Sequence, residues 1–232
     1  LSKFGIDPNM YDHTGQDLLQ LKCRTGTSQV ELALYHHINA PDPVLFGHIT
    51  DNLQGHLHIL LYGMNDPRTA RYNVDRMPDG EKTRFGTNLR NIPEEIKALN
   101  AGLAPGQIYR GPHLFQESLR QFESFAADLG QNLFFAEPLY YHVALLFERY
   151  GFQYQTGKKL MREIEAGFSS NGVLHQKLDG SNPFRREEAA NRIRLRSWAI
   201  HDNILGKAFS GVTMYKHITD KPLSPSPSHL PY

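Results

Sequence analysis

The periodicity of the chain changes near residue 93, and this change constrains the fold more than any other feature. Between residues 17 and 76, short runs rich in Val, Ile, Leu and Tyr alternate with turn sequences. Beyond residue 93, apolar residues recur about every 3.6 positions, as in helices that pack on one face. Strands that follow each other without a helix favour an antiparallel meander. The sequence therefore predicts an α+β fold, with an N-terminal antiparallel β-meander followed by a mainly helical C-terminal half.

The expected elements follow from these patterns and from turn and cap residues. The expected strands are Leu18–Cys23, Gln29–His37, Val44–Asp51, His56–Tyr62, Arg71–Asp75 and Gly172–Asp179. The expected helices run from Pro93 to Gly102, from Pro112 to Gly130, over 137–150, from Lys158 to about Phe168, and over 197–205. Residues 187–196 are left open between strand and helix.

The domain organisation is expected to be simple. Residues 1–220 are predicted to form a single α+β domain, sheet-rich over 17–76 and helix-rich over 93–206. Residues 221–232, rich in Pro and Ser, are predicted to be a disordered tail.

Composition narrows the classes of function. Lys and Arg number 25 against 24 Asp and Glu, so charge gives no reason to expect nucleic acid or a membrane surface as partner. The single cysteine, Cys23, cannot form an internal disulfide, which favours a cytoplasmic protein. No apolar run approaches the length of a membrane-spanning helix. The standard glycine-rich nucleotide loops are absent, so no nucleotide cofactor is expected, whereas a small-molecule ligand fits the composition.

The hairpin predicted over residues 44–62 carries a cluster of possible metal ligands. If Leu53 and Gln54 form a two-residue turn, Asp51 lies opposite His56. Alternation then places both residues, together with His58, on one face of the sheet. Two histidines and a carboxylate suit a divalent transition metal such as Fe, Mn, Ni or Zn. The alternative is that this face is the polar, solvated side of the hairpin.

Segment 137–150 reads as the most buried helix, although it carries ionisable residues. Buried ionisable groups are costly unless paired, so they form a structural network or the wall of a site. Glu137, which precedes Pro138, is expected to cap the helix. Glu148 and His142 are the candidate acid–base residues, and they point about 120° apart around the helix. The alternative is that both are structural.

Two further groups could bind or react. Arg110, in Tyr109-Arg110-Gly111-Pro112, precedes a helix start, where a cation and free N–H groups could bind an anion. Ser197 and His201 are four residues apart, like the beginning of a nucleophile–base pair. An ordinary loop arginine and a structural histidine are the respective alternatives.

One segment resembles a known family. Ala144-Leu-Leu-Phe-Glu-Arg-Tyr-Gly151-Phe152 resembles, over nine residues, the last nine of the ten positions of the C-terminal A-x-x-F/L-Y/F-E-x-x-G-F segment of the GNAT acetyltransferases. The resemblance implies acyl transfer from acetyl-CoA. In that family a Gln/Arg-x-x-Gly-x-Gly/Ala loop between a strand and a helix holds the pyrophosphate, and nothing upstream here matches it.

Three functional hypotheses follow. The first is a metal-dependent small-molecule enzyme, with Asp51, His56 and His58 as ligands and with Glu148 or His142 as acid–base groups. The second is a non-catalytic ligand-binding or protein-interaction domain, in which the His and Arg residues are structural. The third is an acyltransferase.

Overall fold

Seven strands and five α-helices make up the regular structure of residues 9–83, 89–218 and 231, which the computed structural model describes. The strands are β1 Leu19–Cys23, β2 Val30–Leu34, β3 Leu45–Asp51, β4 Leu57–Met64, β5 Leu133–Ala136, β6 Gln153–Thr156 and β7 Thr213–His217. The helices are α1 Ile92–Asn100, α2 Phe115–Asp128, α3 Tyr141–Arg149, α4 Lys158–Phe168 and α5 Ile193–His201. The predicted α+β class is confirmed.

The chain divides into two compact units. Of the described residues, unit 1 takes in 9–70, 110–137 and 216–218, and unit 2 takes in 71–83, 89–109, 138–215 and 231. The boundary near the C-terminus falls inside β7. The single domain inferred from the sequence stays a prediction, and the predicted tail lies outside the described residues apart from Pro231.

Unit 1 is built on the order β1-β2-β3-β4-β5. The first four strands pair antiparallel, as the meander prediction requires, and β5 then pairs parallel to β4. Helix α2 packs on this sheet: the rings of Phe122 and Phe134 lie 5.0 Å apart, edge to face. At the opposite end of the sheet, Leu18, Leu34 and Val44 form a separate apolar cluster.

Unit 2 has its core around the single tryptophan. Trp198 of α5 is fully buried, stacks on Phe184, and donates from Nε1 to the carbonyl of Leu103. Val74, Ala98 and further apolar residues complete the same cluster. Within this unit, β6 pairs antiparallel with β7.

Several predicted elements are wrong or shifted. Arg71–Asp75 and Gly172–Asp179 are not strands; the latter contains a short 3₁₀ helix, His175–Lys177. The open segment 187–196 begins as a 3₁₀ helix and then enters α5, which starts before the predicted residue 197. Strands β5, β6 and β7 were not expected. Each has only four or five residues, so alternation in its sequence is too short to recognise.

Helix α3 begins later than predicted, and this changes the role of Glu137. The N-cap of α3 is Tyr140, and no side chain caps the helix. Glu137 instead follows the last residue of β5, and its backbone N–H donates to the carbonyl of Ile59 on β4. The predicted cap is therefore wrong. The proline at 138 favours this outcome, because a residue before proline is driven towards extended conformations.

Candidate functional site

The hairpin predicted to bind a metal has a different register. Its turn contains three residues, Leu53–Gly55, because Asn52 donates to the carbonyl of His56 and Gly55 has a positive φ of 78°. Asp51 consequently pairs with Leu57 and not with His56. A one-residue slip moves a side chain to the other face of a sheet, so the predicted face shared by Asp51, His56 and His58 is wrong.

The three proposed ligands each have a different neighbour. Asp51 accepts a short hydrogen bond from the hydroxyl of Ser28. His56 Nδ1 lies 3.1 Å from the Gln131 side-chain oxygen, and His58 Nε2 lies 3.3 Å from Glu137 Oε1. Within the described ranges, no three His, Cys, Asp or Glu side chains are grouped so that they could hold a metal ion. These residues do not fit the expected metal.

His142 lies in the interior of unit 2. Its Nδ1 lies 2.8 Å from the hydroxyl oxygen of Ser197, and both residues are buried. Burial lowers the pKa of the His142 imidazole to about 3, so the ring is neutral at physiological pH. Ser197 therefore contacts His142, and the contact lies in the core.

Glu148, the other candidate acid–base residue, lies on α3 and is half-buried. Burial, followed by the Glu148 carboxylate, raises the pKa of the Tyr154 hydroxyl. Glu148 thus lies beside a phenol that stays protonated. Its predicted catalytic role stays a prediction.

Unit 2 contains a buried ionic cluster that no sequence pattern predicted. Glu95 is paired with Arg90, and its Oε1 lies 3.1 Å from His201 Nε2. Arg90 also reaches Asp202 Oδ1, at 3.0 Å. Burial opposes ionisation of Glu95, but hydrogen bonds from His201 and Arg90 outweigh it and lower the pKa of this carboxyl.

The recess beside this cluster is small. It is lined by Arg90, Glu95, His201, Thr83 and Gly106, among others, and has room for about one water molecule. A substrate-sized ligand needs a cavity of several hundred Å³. The cluster is therefore a structural network. Its two halves, Arg90 with Glu95 and His201 with Asp202, lie more than 100 residues apart in sequence, so no local pattern predicts their contact.

The most distinctive backbone feature of unit 1 is the place where the pairing of β4 with β5 ends. His58 pairs with Phe135 and Ile59 with Ala136, the last residue of β5. Beyond Ile59, β4 continues to Met64 with no β5 partner among the described residues. The pairing of the two parallel strands thus ends at Ile59 and Glu137, a place that we call the strand fork.

A β-bulge lies beside the fork. His48 of β3 pairs with Leu61, but its neighbour Ile49 pairs with Ile59, so Leu60 is an extra residue on β4. A bulge bends its strand and increases the local twist, and bulges are common beside active sites. The bulge thus lies directly after Ile59, the last β4 residue that pairs with β5.

The start of α2 lies beside the open part of β4. The Tyr62 hydroxyl donates to Ser118 Oγ at 2.6 Å, and the Tyr62 and Phe115 rings meet edge to face at 5.9 Å. Burial raises the pKa of Tyr62 to about 12, so the hydroxyl remains a donor. The N-cap position of α2 is Leu114, whose side chain makes no capping hydrogen bond.

Arg110 enters this region from the loop before α2. Its carbonyl accepts from the Asp66 N–H at 3.0 Å, and its own N–H donates to Thr69 Oγ1 at 3.3 Å. These bonds fix the loop to the residues just after β4. The two parts of the predicted anion site, Arg110 and the start of α2, therefore both lie in unit 1 near the C-terminal end of β4.

The segment that resembles the acetyltransferases forms the end of α3 and the approach to β6. Gly151 has a positive φ of 89°, its N–H donates to the backbone carbonyl of Glu148, and the N–H of Phe152 donates to the backbone carbonyl of Phe147. The rings of Phe147 and Phe152 stack at 4.7 Å. This is a Schellman motif with its hydrophobic contact, so the Gly-Phe pair has a structural reason to be there.

Comparison with known proteins gives no relative: no family model, curated protein or solved structure matches the chain. No helix among the described residues is long and apolar enough to cross a membrane.

Proposed function

We propose that the chain is an acyltransferase whose donor is a thioester on a phosphopantetheine arm, as in acyl-CoA. The observation that carries the proposal is the strand fork, at which the pairing of β4 with β5 ends beside the bulge at Leu60. In open α/β sheets, ligands bind beyond the carboxyl ends of parallel strands. The carboxyl end of β5 lies at the fork, within unit 1, and we propose that the donor binds there.

The shape of the arm matches the open part of β4. Pantetheine is extended and carries amide groups, which can pair with backbone N–H and C=O groups as an added strand does. Residues 60–64 extend over about 16 Å at the usual rise of a strand. An arm that lies along them would bring its thioester to the fork.

The phosphate end of the donor has a counterpart at the start of α2. A helix N-terminus attracts phosphate through its free N–H groups and its dipole, and Arg110 adds a positive charge nearby. Arg110 is followed directly by Gly111 and then by Pro112 and His113, so the segment lacks the Gln/Arg-x-x-Gly-x-Gly/Ala spacing of the acetyltransferase loop and departs from the family pattern. We propose that the donor binds here as a co-substrate, without the standard glycine-rich nucleotide loops that the sequence lacks.

The sequence resemblance adds support. Ala144–Phe152 resembles a segment of the acetyltransferases, and it precedes β6 directly. The acyltransferase hypothesis therefore has one sequence observation and one backbone observation in its favour.

The second candidate is a binding protein without catalysis. It is favoured by the partners of four histidines: His56 contacts Gln131, His58 contacts Glu137, His142 contacts Ser197, and His201 contacts Glu95. The metal-dependent enzyme has no corresponding support, because its three ligands lack a common face.

Calorimetric titration with CoA tests the proposal. CoA should bind with one site per chain, and pantetheine, which lacks the phosphates, should bind more weakly. Arg110→Ala should weaken CoA binding several-fold and leave pantetheine binding unchanged. The matched control, Arg120→Ala, removes an exposed arginine from the middle of α2 and should have little effect. No CoA binding at millimolar ligand would reject the acyltransferase in favour of the second candidate.

A further inference from the structure

Strand β1 forms an outer edge of the sheet in unit 1. It stands at the end of the order β1-β2-β3-β4-β5, and among the described strands it pairs with β2 alone. Its last four residues are exposed, and Leu21 is 57% exposed. Backbone groups along an exposed edge can pair with a strand of another chain. The sheet of unit 1 can therefore be extended at β1.

The pairing with β2 determines which backbone groups of β1 face outwards. The Tyr35 N–H donates to the Leu18 carbonyl at 2.9 Å, so this carbonyl points towards β2. In an antiparallel pair, the backbone groups of successive residues point to opposite sides of the strand. The residues of β1 whose backbone groups point away from β2 are therefore Leu19, Leu21 and Cys23.

The side chains of these three outward residues share one face of the sheet, because side chains alternate along a strand. They are two leucines and a cysteine, all of which pack as apolar groups. Gln20 and Lys22 take the other face, where Lys22 pairs with Glu31 of β2. The lysine charge thus already has an opposite charge across the strands, and it does not by itself keep another β1 away.

We propose that a second copy of this chain pairs with β1 in antiparallel orientation, with Leu21 on the two-fold axis. The two Leu21 residues then exchange a pair of backbone hydrogen bonds, and their exposed side chains cover each other. On either side of the axis, the Cys23 N–H of one copy donates to the Leu19 carbonyl of the other. The Leu19 N–H needs no partner there, because it already donates to Asp17 Oδ1 at 2.8 Å.

This register is the one that the sequence of β1 favours. With Leu21 on the axis, Lys22 lies opposite Gln20 of the second copy, and no like charges face each other. With the axis at Lys22, the two lysines would lie directly opposite. With the axis at Gln20, Cys23 would face Asp17, which already pairs with an earlier segment of the chain. The edge of β1 therefore fits a second β1 best in a single register.

The interface at β1 does not depend on the proposed acyltransferase activity. Strands β2 and β3 lie between β1 and β4, so a second copy at this edge leaves the strand fork open. Both copies use the same edge, so the pair is closed and does not grow into a filament.

Sedimentation velocity of the full chain, from micromolar to near-millimolar concentration, tests the interface. The parent protein should shift towards twice the chain mass of 26.5 kDa as the concentration rises. Leu21→Lys places like charges opposite each other on the axis, and Leu21→Pro removes the N–H that pairs there. Each should raise the dissociation constant of the dimer at least several-fold, and an edge strand tolerates both changes. The matched control, Leu53→Lys, charges an exposed leucine in the hairpin turn of unit 1 and should dimerise like the parent.

Mild oxidation tests the register. Leu21→Cys, made together with Cys23→Ser, places two thiols on the axis with Cα atoms about 5.5 Å apart, within the range of a disulfide. This variant should give a cross-linked dimer on a non-reducing gel. In the parent dimer the two Cys23 residues lie about 13 Å apart along the strands, so the parent should not cross-link.

Three results would overturn the proposal. A parent protein that stays monomeric over the whole concentration range has no such interface. A dimer that is as stable with Leu21→Lys and Leu21→Pro as in the parent is formed by another surface. A dimer that cross-links through Cys23 in the parent, but not through Leu21→Cys, does not have Leu21 on its axis.

Discussion

The buried imidazole of His142 predicts a specific loss of stability in acid. The folded protein holds this group neutral, with a pKa of about 3, whereas an unfolded chain has the ordinary value of 6.5. Because the depressed pKa belongs to the folded state, protons bind preferentially to the unfolded chain below pH 6.5. The free energy of unfolding therefore falls as the pH falls from 6.5 towards 3.

The size of the effect follows from linkage. Each pH unit below the unfolded pKa costs about 1.4 kcal/mol, so about 1.5 units, from pH 6.5 to 5, cost about 2 kcal/mol. His142→Asn removes the titration but keeps a polar atom near the position of Nδ1, within reach of Ser197. We expect the parent protein to lose about 2 kcal/mol more than this variant between pH 7 and 5.

Urea unfolding at both pH values measures this difference, provided that both proteins unfold in a two-state transition. The control is His175→Asn, which removes a partly exposed imidazole from the same unit and should leave the pH dependence of the parent in place. Equal losses for the parent and for His142→Asn would refute the assignment of a buried neutral imidazole.

Two other substitutions test the structural account of unit 2 by urea unfolding at pH 7. Arg90→Ala leaves the buried Glu95 carboxylate without its guanidinium and should lower the free energy of unfolding by about 3–5 kcal/mol. Its control, Lys97→Ala, removes an exposed partner of Glu94 and should lower it by less than about 0.5 kcal/mol. Gly151→Ala places a side chain at positive φ in the cap of α3 and should cost about 1–2 kcal/mol. A loss below about 1 kcal/mol for Arg90→Ala, or none for Gly151→Ala, would contradict these assignments.

The long periodic elements were predictable from sequence. Helix α4 occupies the predicted residues, and β3 and β4 begin within one residue of prediction. Their apolar patterns are long enough to fix a period. By contrast, β5 consists of only four apolar residues, Leu133–Ala136. A run this short does not show whether it is a strand or the first turn of the helix that follows.

The functional sites were harder to predict from sequence than the long elements. The register of the hairpin predicted to bind a metal depended on one turn residue. Gly55, in the left-handed region, adds a third residue to the loop and moves Asp51 away from His56. The approach of Glu137 to His58 joins strands far apart in sequence, and only the parallel pairing reveals it. Arg110 was identified correctly as lying before a helix start, because local sequence determines that position.

Hydrogen exchange of the β4 amides, followed by NMR with and without CoA, tests the central claim most directly. A pantetheine arm that pairs with the open part of β4 should slow exchange at amides within Leu60–Met64, and amides of β1 should keep their rates and serve as an internal control. Binding of CoA with unchanged exchange throughout Leu60–Met64 would contradict the strand fork as the donor site.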